Sequence, residues 1–290
     1  GQLHHVIRKW DIVFSGLLAS PTDLVNFYGY GNETVKTDSL YKAKFYKTRY
    51  NSYQLGIGIL RDFWKRSQFS ILINYENNEA QINENTILDL PNDFLGVEKV
   101  NLIEGIAILD LDFRNDKNFP EKGMRLYGEL RQGLIKSHNN STYNKVLGYL
   151  EFHSTIHTKL SVFIGIRGGG TLSSGAMPFY KFNNLGQNSF LRGYRKNRFA
   201  GKSMVFFNTD VKLQILDIST AVVPVKFGIR GFFDIGRVYT NNITSDKLHL
   251  GYGGGIYLIP LEKSYSLGLN MAFSEEEKNG LIVFELGISF

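Results

Sequence analysis

The residues with the most chemistry to offer lie in one long segment, 172–202. Its stretch 190–199 contains Leu191-Arg192-Gly193-Tyr194-Arg195 and carries four cations (Arg192, Arg195, Lys196, Arg198) beside Phe190, Tyr194 and Phe199. A loop that faces water has little reason to hold so many aromatic rings, whereas a loop folded into a polar cavity does. In such a cavity Arg192 can form a charge-assisted pair with an inward carboxylate. Asp210 and Asp234 are the candidates, because strand alternation puts both on one face. The competing reading is an ordinary basic surface loop with all four cations in solvent. On the first reading Arg192 matters more to stability or function than Arg198.

Other chemistry finds no support. There is no Cys, which excludes disulfides and thiolate metal sites. His4-His5, and His153 with His157, lack any metal-site motif, so no metal is expected. Gly-Tyr-Gly-Asn at 29–32, Gly168–Gly170 and the glycines from Gly251 to Gly255 open no helix after a buried strand, so they are not phosphate cradles. Gly251, Gly253 and Gly255 fit better as room for an inserted loop. His153 and Ser154 are adjacent, point to opposite faces of a strand and cannot form the His-x-Ser pair of outer-membrane phospholipases. No Ser/His/Asp set can be assembled. The expectation is no enzyme activity within this chain, no catalytic residues and no cofactor.

The elements that must position Arg192 have period two. Ile282, Phe284, Leu286, Ile288 and Phe290 fall on one face of the last segment, with Val283, Glu285, Gly287 and Ser289 on the other. Val225, Phe227, Ile229, Phe233 and Ile235 oppose Lys226, Arg230, Phe232 and Asp234. Val205, Phe207, Val211, Leu213 and Ile215 oppose Asn208, Asp210, Lys212 and Gln214. About twelve such strands follow, near 6–20, 41–61, 68–80, 100–114, 123–135, 143–156, 159–171, 203–216, 224–240, 247–260, 264–275 and 280–290. Several exceed the roughly 9–11 residues that cross a bilayer at a tilt. Short links (62–67, 115–122, 157–158, 216–223, 261–263) alternate with longer or more polar ones (21–40, 81–99, 136–142, 172–202, 241–246, 276–279). Short turns at one end and long loops at the other are the layout of an outer-membrane barrel, with both chain ends expected at the short-turn end. A soluble sandwich also alternates, but charged residues are not expected opposite so many long apolar rows.

Composition agrees. The 290 residues include 6 Pro and 14% aromatics, which argues against disorder. The mean hydropathy of −0.17 does not count against a barrel, since averaging hides alternation. A net charge of +6 invites a nucleic-acid reading, yet Lys and Arg are interspersed with Asp and Glu, so none is expected. The chain begins inside a patterned segment with no signal peptide and is expected to be a mature or trimmed piece.

Four motifs resemble the BamA and TamA superfamily, the bacterial surface antigen barrels. Arg192-Gly193-Tyr194 is similar to the Arg-Gly-Phe/Tyr tip of that family's inserted loop. Phe232, Asp234 and Gly236 resemble its Phe-x-Asp-x-Gly strand, and Asp210 stands where the family carries Glu. Asp112-Phe113-Arg114-Asn115 with Phe119, Pro120 and Gly123 resembles its periplasmic turn. Phe284, Leu286, Ile288 and Phe290 look like the C-terminal signal by which such barrels are recognised for insertion. These motifs cover about 110–290; the first hundred residues match only in general pattern. The resemblance implies an all-β, transmembrane, antiparallel up-and-down barrel, a single domain over 1–290 with 172–202 folded into the lumen. The family has sixteen strands and POTRA domains before the barrel; this chain shows about twelve strands and no POTRA segment. Phe27-Tyr28-Gly29-Tyr30-Gly31-Asn32 further resembles barrels fused to a phosphoesterase.

The resemblance implies assembly of proteins into the bacterial outer membrane or secretion across it. The partners would be outer-membrane lipid and unfolded or secreted clients, with a fused or associated periplasmic domain as a further partner. The working parts would be Arg192, locking the lumen, and a weakly paired seam between first and last strands. Alternatives are a membrane anchor for a phosphoesterase-like domain and a passive channel. Ile229, Phe233, Leu213, Phe284 and Ile288 should face lipid between aromatics such as Tyr239 and Tyr265. Trp10–Ala19 should pair with the strand ending at Phe290.

Overall fold

The computed structural model describes residues 1–290 except 21–24, 91–93, 137–139, 188–189, 219–222, 242–243 and 278. Parts of seven expected connections (21–40, 81–99, 136–142, 172–202, 216–223, 241–246 and 276–279) therefore lie outside the described residues.

The strands, in chain order, are β1 (Gln2–Ile7), β2 (Trp10–Ala19), β3 (Val25–Asn26), β4 (Lys47–Phe63), β5 (Ser67–Gln81), β6 (Val100–Asp112), β7 (Gly123–Ile135), β8 (Ser141–His157), β9 (Ser161–Gly175), β10 (Asn183–Leu185), β11 (Phe199–Gly201), β12 (Ser203–Ile218), β13 (Val225–Tyr239), β14 (His249–Pro260), β15 (Leu267–Ser274) and β16 (Leu281–Leu286). Each wall strand pairs antiparallel with the next in the order β1-β2-β4-β5-β6-β7-β8-β9-β12-β13-β14-β15-β16. The two-residue β3 attaches to β4, and β10–β11 form a separate hairpin inside the inserted segment. This is the expected up-and-down all-β wall. The only described α-helix is the short Asp38–Lys42, and no described helix is long and apolar enough to cross a membrane.

Alternation sets the two faces. Along β13, Arg230, Phe232 and Asp234 are buried while Ile229 and Phe233 are exposed, and along β12 Asp210 and Lys212 are buried while Val211 is exposed. Tyr239 and Tyr265 are exposed near opposite ends of that apolar band. Leu213 belongs to the same outward row.

Four expectations are corrected. The stretch 6–20 is not one strand: it holds the end of β1, a turn at 8–9 and β2. Gly1 consequently lies beside Phe14, midway along β2, rather than at the short-turn end. With β1 occupying one edge of β2, that edge is not free, and among the described residues no backbone ladder joins 6–20 to 280–290. Finally, β16 stops at Leu286. Gly287 adopts φ 77°, a conformation that glycine tolerates, and the chain leaves the wall there. Ile282, Phe284 and Leu286 are strongly exposed as expected, but Ile288 is 0% exposed, inside the lumen.

At the long-loop end the connections fold over the lumen. Tyr30 stacks on Phe182 at 4.3 Å, and Phe27 meets both Phe179 and Phe94 at 5.2 Å. The Phe179 amide donates to the Leu95 carbonyl at 2.8 Å. Asn32 exchanges two hydrogen bonds with the Val238 backbone, at 2.7 and 2.9 Å, and the Gly31 amide donates to Ala200. The glycine-rich 29–32 segment is thus a clip joining the first long loop to the inserted one.

Candidate functional site: the plugged lumen and its last strand

The inserted segment enters the lumen because its polar groups find partners there. Arg192 lies at the end of its excursion. Its backbone amide and Nε donate to Asp234 Oδ2 at 2.8 and 2.7 Å, Nη2 donates to Asp234 Oδ1 at 2.6 Å, and Nη1 donates to Asp210 Oδ1 at 2.8 Å. Both carboxylates are essentially unexposed. The guanidinium also lies 4.0 Å from the centre of the Phe232 ring, a cation–π contact. Burial disfavours charge on Arg192, but Asp210 and Asp234 outweigh it and push its pKa up. Gly193 abuts Phe273, and its carbonyl accepts from Ser274 Oγ at 2.9 Å. Tyr194 is buried against Phe199 and His249. Gly236 leaves room for Leu185 of the loop. Arg192, Gly193, Tyr194, Asp210, Phe232, Asp234 and Gly236 thus meet in one ion-paired cluster at the loop tip, a lock in the geometric sense. Arg198, by contrast, is not a solvated comparator: it is 2% exposed, and its Nη1 and Nη2 donate to Thr34 at 2.7 and 2.6 Å.

The lock continues to the last strand. Arg230 donates to the second oxygen of Asp210 and, through its other nitrogen, to Glu285 of β16. Arg192, Asp210, Arg230 and Glu285 therefore form an unbroken chain of ion pairs from the loop tip to β16. A cavity of about 280 Å³ lies beside that chain, lined by Arg167, Arg192, Asn208, Glu285 and Phe290.

The turn motif closes the opposite end. Arg114 pairs with Asp112 through Nε and Nη2, both at 2.9 Å, and reaches Glu151 of β8 at 2.9 Å through Nη1. Asn115 Oδ1 accepts from the amides of Glu121 and Lys122, tightening the turn that Gly123 leaves as β7 begins. Phe119 and Pro120 are thereby buried. Phe119 meets Phe163 at 5.2 Å and Tyr257 at 5.4 Å, in a cluster that includes Ile288. The tail 287–290 completes this plug. The Ile288 amide donates to the Asn118 carbonyl at 2.6 Å, the Ile288 carbonyl accepts from Lys212 Nζ at 2.5 Å, and the Phe290 ring lies 4.6 Å from the Arg167 guanidinium. So Phe284 and Leu286 lie outside and Ile288 and Phe290 inside, although all four share one parity.

A profile of the Omp85 superfamily domain matches residues 20–290. The chain belongs to the Omp85 superfamily, the group of BamA-like barrels. Among solved structures, this Omp85 chain is similar to BamA from Haemophilus ducreyi lacking POTRA domains 1–3, with a TM-score of 0.65 at 12% identity over 98% of its own length. That likeness shows the fold. The Omp85 chain spans 59% of that BamA chain. No curated protein sequence matches it.

Some parts of the Omp85 site were not singled out from sequence. Arg230 and Lys212 share the inward parity of Asp234 and Asp210, a signal sufficient to nominate them. Glu285 is likewise inward in its alternation. Lys181, which meets two buried carboxylates, lies in irregular backbone where no parity exists. Among the described residues no group of three or more His, Cys, Asp or Glu is placed to hold a metal.

Proposed function

We propose that this barrel works in the bacterial outer membrane, assembling or translocating protein clients, with β16 as its working edge. The observation that carries this reading is the shortened last strand. β16 pairs with β15 on one side, its tail is turned into the lumen, and its Glu285 is wired to the loop tip through Arg230 and Asp210. In hydrocarbon an unpaired strand edge is costly, because lipid offers no hydrogen bonds. An incoming client strand that adds to such an edge satisfies those groups. The plug at both ends argues for a barrel that is closed at rest and against a steady open channel. The barrel itself does no covalent chemistry on this reading.

The chain is free of Cys, so single introduced thiols are unique. In vesicles, Phe284→Cys should crosslink to a thiol-bearing unfolded outer-membrane protein, while Ile229→Cys on the wall should not. Equal crosslinking at both sites would contradict the proposal. Large steady conductance in planar bilayers would support the channel instead.

A further inference from the structure

The inserted segment touches the wall a second time, on the other side of the lumen from Arg192. Lys181 ends the short 3-10 turn Phe179–Lys181. Its Nζ donates to Glu76 Oε1 of β5 at 2.7 Å and to Glu104 Oε2 of β6 at 2.8 Å. Glu104 is 0% exposed and Glu76 3%. Tyr143 of β8 donates its hydroxyl to Glu104, and Arg131 of β7 stands 3.9 Å from it. Asn78 donates to the free oxygen of Glu76 at 3.1 Å, and Lys145 donates to the Lys181 carbonyl at 3.3 Å. Glu104 has wall partners of its own in Tyr143 and Arg131, but among the described residues the only cation paired with Glu76 is Lys181, and a buried ion pair seldom adds net stability over apolar residues of similar size. What a buried pair does supply is a defined register between the groups it joins.

We propose that Lys181, with Glu76 and Glu104, is a second clamp that seats the inserted loop on the far wall and keeps the long-loop mouth shut. The first clamp holds the loop tip to β12 and β13; the second holds its root to β5 and β6, with β7, β8 and β9 between them along the wall. Phe179 and Phe182, which flank Lys181, are the rings on which Phe27 and Tyr30 of the first long loop rest. Releasing Lys181 therefore unseats the aromatic cap, whereas releasing Arg192 frees the tip and leaves the cap in place. The clamp concerns the plug alone and holds whether or not the β16 edge handles protein clients.

The test is single-channel recording of the purified protein in planar bilayers. Lys181→Met should raise the frequency of open events by about tenfold or more, tenfold corresponding to about 1.4 kcal/mol lost from the closed state. Lys181→Arg, which can still reach both carboxylates, should remain near the parent. Because Lys181→Met strands two buried charges and can weaken the fold, the neutral variant E76Q/E104Q/K181M carries the decisive comparison. Leakage in this well-folded variant supports the clamp. A quiet triple variant, or a quiet Lys181→Met, overturns it. Crosslinking of a client at Phe284→Cys reads the seam separately, so the two readings can fail independently.

Discussion

Stripping a buried arginine of its role is informative only against a comparator that is solvated. Arg192→Ala leaves Asp210 and Asp234 without the cation that joins them, a loss of about 3–5 kcal/mol for a broken buried pair. Lys196 is exposed and makes no ion pair among the described residues, so Lys196→Ala should change stability by no more than about 0.5 kcal/mol. Urea midpoints in detergent measure both. Glu276, in the connection before β16, gives a pH prediction. Burial opposes its ionisation, but His249 at 2.8 Å and Lys247 at 2.9 Å outweigh burial and hold its carboxyl below the usual value. A depressed carboxyl stabilises the fold above its unfolded pKa of about 4.3, and that contribution is lost as pH falls through the lower folded value. Unfolding midpoints should therefore fall more steeply below pH ~4.3 for the parent than for Glu276→Gln. At this scale the sequence was legible where alternation speaks: Asp210, Asp234 and Arg230 all follow from period two. It ranked Arg198 as the lesser residue without seeing its burial and was silent on Lys181, because their partners Thr34, Glu76 and Glu104 are distant in sequence and meet them through irregular loops.

The elements owe their placement to close approach as much as to apolar rows. A Cβ on Gly251 of β14 would lie 1.8 Å from the Arg192 carbonyl, so Gly251→Ala should push the loop tip off the wall and weaken the lock. A Cβ on Gly105 meets nothing within 4 Å, and Gly105→Ala should be neutral in the same unfolding experiment. Of the three inward glycines read as room for the loop, only Gly251 does this directly; Gly253 and Gly255 face their own neighbours in β15 and β13. On the outer surface, Ile229→Arg should cost about 2–4 kcal/mol in a bilayer if Ile229 lies near the midplane, as measured by folding into vesicles. The long wall strands and the alternation of their connections were readable because length and alternation reinforce each other over segments such as β4. The first hairpin was not, because Arg8 and Lys9 interrupt the row without a glycine or proline to mark a turn. The end of β16 was misread for the opposite reason: Ile288 and Phe290 keep perfect period two, and only Gly287 hints that the chain turns in.

The whole molecule is a barrel wall whose interior is filled from three directions. The inserted loop descends from the long-loop end, the Asp112–Gly123 turn rises from the other, and the tail 287–290 enters from the side of the last strand. The ion-pair chain through Arg192, Asp210, Arg230 and Glu285 makes the first and third of these one mechanical unit. Among the described residues β16 has a backbone partner strand on one side only, β15. Hydrogen exchange of the protein in micelles tests it most directly, by comparing amides in 281–290 with those in 225–239. An unpaired edge with an inward tail predicts a slow-exchanging β13, bonded on both sides, and a last strand in which a substantial share of amides exchanges fast. Protection across 281–290 as complete as that of β13 would show a closed seam and rule out a free β16 edge.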